Sequence, residues 1–220
     1  MKNFIKRVFF WIAMREDRNE LKEYQFTIVS NNCFGGILYK QLRKEYLSPF
    51  VGLFITGRDY LKLVNRFDYY MEQDLLFSNT SKSDYVNGLK EMKPNLPIGK
   101  LDDVEVVFLH YFSNAEALEK WLRRKSRMNL DNMIFKHSTA FFSDESMINE
   151  FLSKLDDQKA FAIGTADTER EIKVPTDDPV VELYWPMFNY KMHELLKNGR
   201  KVRKPMYIRF LGRIALEFLK

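Results

Sequence analysis

The chain has 220 residues, 45% of them apolar and 15% aromatic, which suffices for one sizeable α/β domain and excludes a disordered polymer. A single cysteine excludes an internal disulfide and fits a reducing compartment, and three histidines (His110, His137, His193) beside that one thiol show no metal-ligand spacing, so no metal is expected. The net charge of +5 sits at the ends: residues 1–22 carry six Lys/Arg against three Asp/Glu and residues 191–220 carry nine against two, leaving −5 for 23–190 and arguing against nucleic acid as a partner.

Residues 1–22 form a basic segment in which Lys2, Lys6 and Arg7 adjoin an apolar run from Val8 to Met14. The run is too short to span a bilayer, and the charges after it do not resemble a signal-peptide cleavage site. It reads as an amphipathic helix, either docked on the domain or lying on an anionic membrane surface through Phe9, Phe10 and Trp11. Residues 23–198 read as one α/β domain. YQFTIVS (24–30) is the first strand, and a helix follows over 36–46. FVGLFI (50–55) predicts a second strand, and Leu61, Val64, Phe67 and Met71 predict one helix over 59–73. The polar stretch 78–95 reads as a surface loop with at most one helical turn.

VEVVFLH (104–110) is the strongest strand signal, and Ser113 with Glu116 predicts a capping box opening a helix over 114–128. NMIFK (132–136) predicts a fourth strand, 144–155 a helix capped by Ser143, AFAIG (160–164) a fifth strand, 180–185 a further strand and 189–197 a helix. Residues 199–220 form a second basic amphipathic segment in which Met206, Phe210, Ile214 and Phe218 recur every four residues; docking this stripe on the core is the default, and a membrane contact is the alternative. The strand–helix alternation predicts a three-layer α/β fold: a mainly parallel sheet of five to six strands with helices on both faces, and basic amphipathic helices at both termini.

In such folds ligands sit beyond the carboxyl ends of the strands. That rule nominates Asn31, Asn32 and Cys33, then Thr56 to Asp59 including Arg58, then His110 and Tyr111, then His137 and Ser138, then Thr165 and Asp167. A cysteine between a strand and a helix N-terminus is a candidate nucleophile, because the helix dipole favours thiolate. Gly35 and Gly36 would admit close approach of a ligand or oxyanion, Asn32 would add an amide donor, and His110, or else His137, would be the base. Gly-Gly alone matches neither a dinucleotide fingerprint nor a phosphate loop. The cluster Arg123, Arg124 and Arg127 reads either as a solvated face or as a phosphate clamp, thickened by Asn129, Asp131 and Asn132.

Three blocks, SNNCFGGILYKQL, YLSPFVGLFITGRDYLKLV and PIGKLDDVEVVFLHYFSNAEALEKWLRRKSRMNLDNMIF, resemble in order the bacterial family called domain of unknown function nineteen-nineteen, over roughly residues 25–175. Phe34 stands where the family pattern has Trp. Members are commonly labelled exopolysaccharide or capsule biosynthesis proteins, so the resemblance implies a cytoplasmic context in surface polysaccharide assembly but no established catalytic residues. The expectation is a cytoplasmic transferase, peripheral to the inner face of the plasma membrane if the termini bind lipid, acting on a saccharide or lipid-linked saccharide precursor. Its most concrete form is acyl transfer by Cys33 and His110 from acyl-coenzyme A. The alternatives are glycosyl or sugar-phosphate transfer from a nucleotide-sugar held by the arginines, and a non-enzymatic membrane scaffold. The paired acids Asp102-Asp103, Asp156-Asp157 and Asp177-Asp178 sit at expected surface turns.

Overall fold

The structure, a computed structural model, describes residues 2–138, 143–155, 159–164, 170–176 and 178–217. Thr165, Asp167, Asp156, Asp157, Asp177 and Phe218 lie outside the described residues.

The fold is α/β, and its strands divide between two sheets. β1 (Thr27–Ser30), β5 (Met133–Ser138), β6 (Ala160–Gly164) and β7 (Glu171–Lys173) form a four-stranded parallel sheet in that order. Both faces of this sheet are apolar, as parallel strands require. Ile28, Ile134 and Phe161 enter one core cluster, while Val29, Phe135 and Ala160 enter the other. The first cluster also takes residues of α1 (Lys2–Ala13), α3 (Phe34–Leu42), α9 (Pro179–Asn189), α10 (Met192–Asn198) and α11 (Met206–Glu217). The second takes residues of α4 (Gly57–Asn65), α5 (Phe67–Glu72), α7 (Asn114–Lys125) and α8 (Glu145–Lys154).

β2 (Leu76–Ser78), β3 (Ile98–Leu101) and β4 (Val104–Val107) form a separate antiparallel sheet. The strongest strand signal therefore belongs to a hairpin and not to the parallel sheet. The cause is the Asp102-Asp103 turn: Leu101 pairs with Val104, and Asp102 takes a left-handed φ of 53°, which aspartate tolerates in a two-residue hairpin loop.

Other expectations are corrected. Residues 50–55 form no ladder beyond one bridge of Phe54 to Val107, because Gly52 turns the chain through a φ of 75°. The helix over 59–73 breaks at Arg66. The polar stretch contains α6 (Asp84–Met92), longer than one turn, with Ser78 ending β2. Residues 180–185 are helical, within α9, despite their β-branched and aromatic character; packing against α3, α1 and α11 overrides that propensity. α8 is capped by Asp144, whose carboxylate accepts from Met147 N–H at 2.9 Å, instead of by Ser143. Ser113 caps α7 as read, its Oγ accepting from Glu116 N–H, but the Glu116 carboxylate accepts from Phe112 N–H, one residue before the cap, so the box is only half formed.

The termini join the core. Asp17 on α2 (Arg15–Glu20), Lys204 and His193 form a buried cluster, with Asp17 accepting from Lys204 Nζ at 2.5 Å and lying 2.7 Å from His193 Nδ1. Gly212 lets α11 reach α9: a Cβ there would lie 2.5 Å from Phe188 Cβ, an atom that cannot move without its backbone. Gly212→Ala is expected to cost about 1–3 kcal/mol through overpacking, measured by urea unfolding. An unchanged midpoint would contradict this packing.

Candidate functional site

The turn after β1 is built by Asn32. Its Oδ1 accepts from Phe34 N–H at 3.1 Å, from Ser30 Oγ at 3.2 Å and from Lys136 Nζ at 3.1 Å, and its Nδ2 donates to Glu182 Oε1 at 3.0 Å. Lys136 on β5 and Glu182 on α9 form an ion pair at 2.9 Å with both side chains buried. Asn31 is buried as well, its Nδ2 donating to Ser138 O at 3.4 Å while its Oδ1 has no partner among the described residues. Both asparagines shape the turn from beneath and face the protein interior. Gly35 and Gly36 serve packing first: a Cβ would come within 2.9 Å of Ile28 Cγ2 and 2.8 Å of Val51 Cγ1, respectively.

Cys33 is half-buried and lines a cavity of about 580 Å³ together with Gly36, His110, Tyr111, Lys120, Arg124 and Tyr184. The cavity is also walled by Lys40, Tyr46, Val51, Gly52 and Leu183. The thiol donates to Leu53 O at 3.8 Å and makes no hydrogen bond to His110. Burial pushes the Cys33 thiol up to about 11, with the Lys136 charge below it acting in the opposite sense. The direction is the reverse of the thiolate expected at a helix N-terminus, since desolvation outweighs the dipole. His110 is solvent-accessible, anchored by its N–H to Gly52 O at 3.2 Å, and its basicity is lowered by desolvation and then by Lys93. It is thus neutral near pH 7 and able to accept a proton. The same His110 and Tyr111 also wall an adjoining cavity of about 530 Å³ bounded by Lys93, Asn95, Leu109 and Phe112.

The arginine cluster divides. Arg124 is buried at 7% exposure, and its Nη1 donates to the Tyr111 hydroxyl and, at 3.4 Å, to Val51 O; its guanidinium lies 5.0 Å from the Tyr46 ring centre. No carboxylate among the described residues lies within ion-pair distance of it. Lys120 beside it is paired to Glu116. Arg123 instead points to solvent and pairs with Glu119 at 3.2 Å, and Arg127 pairs with Glu45. Arg58 is exposed on α4 and does not line the cavity.

Four more nominees lie elsewhere. Asn129 and Asn132 donate to Gln25 O, so they tie down the amino end of β1, at the opposite edge of the sheet from Cys33; Asp131 is exposed beside them. His137 lies within β5, fully buried between the Tyr60 and Phe151 rings at 5.1 Å each, with Nε2 3.0 Å from Ser143 Oγ. Burial pushes it down to about 3, which keeps it neutral and removes it from candidacy as the cavity's base.

Sequence reasoning missed Lys136, Glu182, Lys40, Lys120, Tyr46 and Tyr184. Lys136 carried a signal, a lone charge after apolar Ile134 and Phe135 in a predicted strand; the others follow from the fold.

Along 156 residues the chain is 35% identical to an uncharacterised protein of Haemophilus influenzae, a match that spans 71% of this chain and 67% of that relative. The family model described as Domain of unknown function (DUF1919) matches residues 4–158, which include Cys33, His110, Tyr111 and Arg124 but not the Leu183–Tyr184 wall. The cavity is therefore assembled mainly from residues of the matched region, and this chain belongs to the DUF1919 family.

Proposed function

We propose that the cavity binds the phosphate or diphosphate of an activated saccharide, and that the chain is a glycosyl or sugar-phosphate transferase of surface-polysaccharide assembly working at the cytoplasmic side of the plasma membrane. The observation that carries this reading is Arg124, a buried guanidinium held by neutral oxygens and an aromatic face, with no carboxylate among the described residues within ion-pair distance. Such a group is costly without a counter-charge, and guanidinium geometry matches phosphate oxygens. Lys40 and Lys120 add positive charge, and Tyr46, Tyr111 and Tyr184 offer faces for a sugar or base. The polysaccharide context comes from the family resemblance.

In this reading the donor lies in the larger cavity and the acceptor approaches from the adjoining one, with His110 between them. The acceptor hydroxyl attacks the anomeric carbon and gives its proton to the neutral His110 ring. The carbon–oxygen bond to phosphate breaks, and the leaving phosphate keeps the electron pair beside Arg124 and Lys120. Acyl transfer from acyl-coenzyme A is the second reading, favoured by Cys33 on the cavity wall. It would require deprotonating a thiol that burial holds protonated at neutral pH.

The test is calorimetric titration with nucleotide-sugars, sugar phosphates and coenzyme A. Nucleotide-sugars are expected to bind, and Arg124→Gln to weaken them roughly 10- to 100-fold, the worth of a charge-assisted hydrogen bond; Cys33→Ala is expected to leave binding unchanged. Coenzyme A binding alone, with adduct formation on Cys33, would favour acyl transfer. Binding indifferent to Arg124 would overturn the assignment.

A further inference from the structure

The two terminal helices each carry two apolar faces. On α1, Phe10, Ala13 and the following Met14 are buried, whereas Phe4 and Trp11 are 71% and 48% exposed. On α11, Ile208, Gly212, Ala215 and Leu216 face the core. The four-residue stripe expected to dock there points the other way: Met206 and Phe210 are 76% and 59% exposed, Tyr207 between them is 66% exposed, and Ile214 is half-buried. α1 packs on α11, and Trp11, Ile12, Pro205 and Tyr207 border one groove of about 300 Å³, so the two outer faces meet. Surface apolar residues occurring singly need no explanation, but a contiguous group of aromatics among cations does.

The charge of this face is one-sided. Arg7, Arg15, Arg203 and Arg213 are exposed on or beside the two helices. Of the nearby acids, Glu16 is engaged by Lys191 at 2.7 Å, leaving Glu217 as the exposed carboxylate on α11. A second copy would set this basic face against itself about a two-fold axis, whereas anionic headgroups complement it and aromatic side chains settle at the headgroup boundary. No helix among the described residues is long and apolar enough to cross a membrane, so contact is interfacial.

We propose that α1 and α11 together form one docking face for an anionic lipid bilayer. The opposite, core-facing side of α1 touches the cavity wall: Phe10 packs on the Tyr184 ring, 5.4 Å between centres, and Tyr184 lines the cavity. The docking face is independent of the phosphosaccharide reading, because vesicle binding requires nothing in the cavity.

The test is co-sedimentation of the full chain with vesicles of phosphatidylcholine alone and of phosphatidylcholine mixed with phosphatidylglycerol, paired with sedimentation equilibrium without lipid. Binding is expected to the anionic vesicles, to weaken with added salt, and to fall about fivefold in Arg213→Gln, the effect of one basic residue near an anionic surface. Trp11→Ser and Phe210→Ser, at exposed positions where the fold is retained, are each expected to reduce it about tenfold, with a blue shift of tryptophan emission on vesicles lost in Trp11→Ser. Equal binding to both vesicle types, no binding to either, or a lipid-free dimer abolished by Phe210→Ser would overturn the proposal.

Discussion

Lys136→Met is expected to destabilise the fold by about 3–5 kcal/mol, the usual consequence of removing one partner from a buried ion pair. The lysine is fully buried, and its ammonium is held at 2.9 Å from Glu182 Oε1 and 3.1 Å from Asn32 Oδ1. Without it, the buried Glu182 side chain is left with the Asn32 amide as its partner among the described residues. The pair joins three parts of the chain: the turn that presents Cys33, the second strand of the parallel sheet, and the helix that supplies Leu183 and Tyr184 to the cavity. Loss of the pair should therefore loosen the cavity as well as the core. In the double variant Lys136→Met/Glu182→Gln the orphaned carboxyl group is gone while an oxygen remains to accept from Asn32 Nδ2. More than half of the lost stability should return. Urea unfolding at pH 7 measures both, and a double variant as unstable as the sum of its single variants would contradict the coupling.

Acidification is expected to destabilise the chain through His137. In the unfolded chain its imidazole titrates near 6.5, while in the fold burial holds it down to about 3. Below pH 6.5 the unfolded state therefore binds a proton that the folded state refuses. Stability is full above that pH and falls as pH drops from 6.5 towards 3, by about 1.4 kcal/mol per unit, or roughly 2 kcal/mol at pH 5. His137 is packed between Tyr60 and Phe151, and among the described residues its Nδ1 has no hydrogen-bond partner, so burial disfavours the cation, with the Lys136 charge acting in the same sense. Comparing the slopes of unfolding free energy against pH for the wild type, His137→Gln and His137→Leu isolates this contribution from that of the carboxylates. Both variants should lose less stability between pH 7 and 5, by about 2 kcal/mol. Equal slopes would show that His137 protonates without cost.

The sequence made the sheet edge legible more clearly than the sheet. The first strand, its polar turn and the helix after it follow from YQFTIVS and the glycines, because strand period and turn chemistry are local properties. The strand-end rule nominates Cys33, His110 and Tyr111 and the arginine cluster nominates Arg124, and the fold brings all four into one cavity. His110 arrives there by another route, however: it follows an antiparallel hairpin, and Gly52 O and the left-handed Gly52 turn hold it beside Cys33. The hairpin strand β4 is buried at every position, as the parallel strand β1 is, so periodicity could not separate them. The Asp102-Asp103 turn was the missed signal.

Orientation was the second illegible quantity. Arg123, Arg124 and Arg127 are close in sequence, yet the angular offset of neighbouring helical residues sends only Arg124 inward. For α11 the stripe at four-residue spacing is real, but the core takes the face built by Ile208, Gly212 and Ala215 because the small residues admit Phe188. The helix in α9 was read as strand because its β-branched and aromatic residues carry a propensity that only its tertiary contacts outweigh.

The most direct measurement of the phosphosaccharide assignment is a crystal structure of the chain soaked with a nucleotide-sugar. The account predicts phosphate oxygens within hydrogen-bond distance of Arg124, the sugar or base against Tyr46, Tyr111 or Tyr184, and His110 facing the anomeric carbon. A ligand bound away from this cavity, or an Arg124 still turned only to Val51 O and the Tyr111 hydroxyl at saturating ligand, would contradict it.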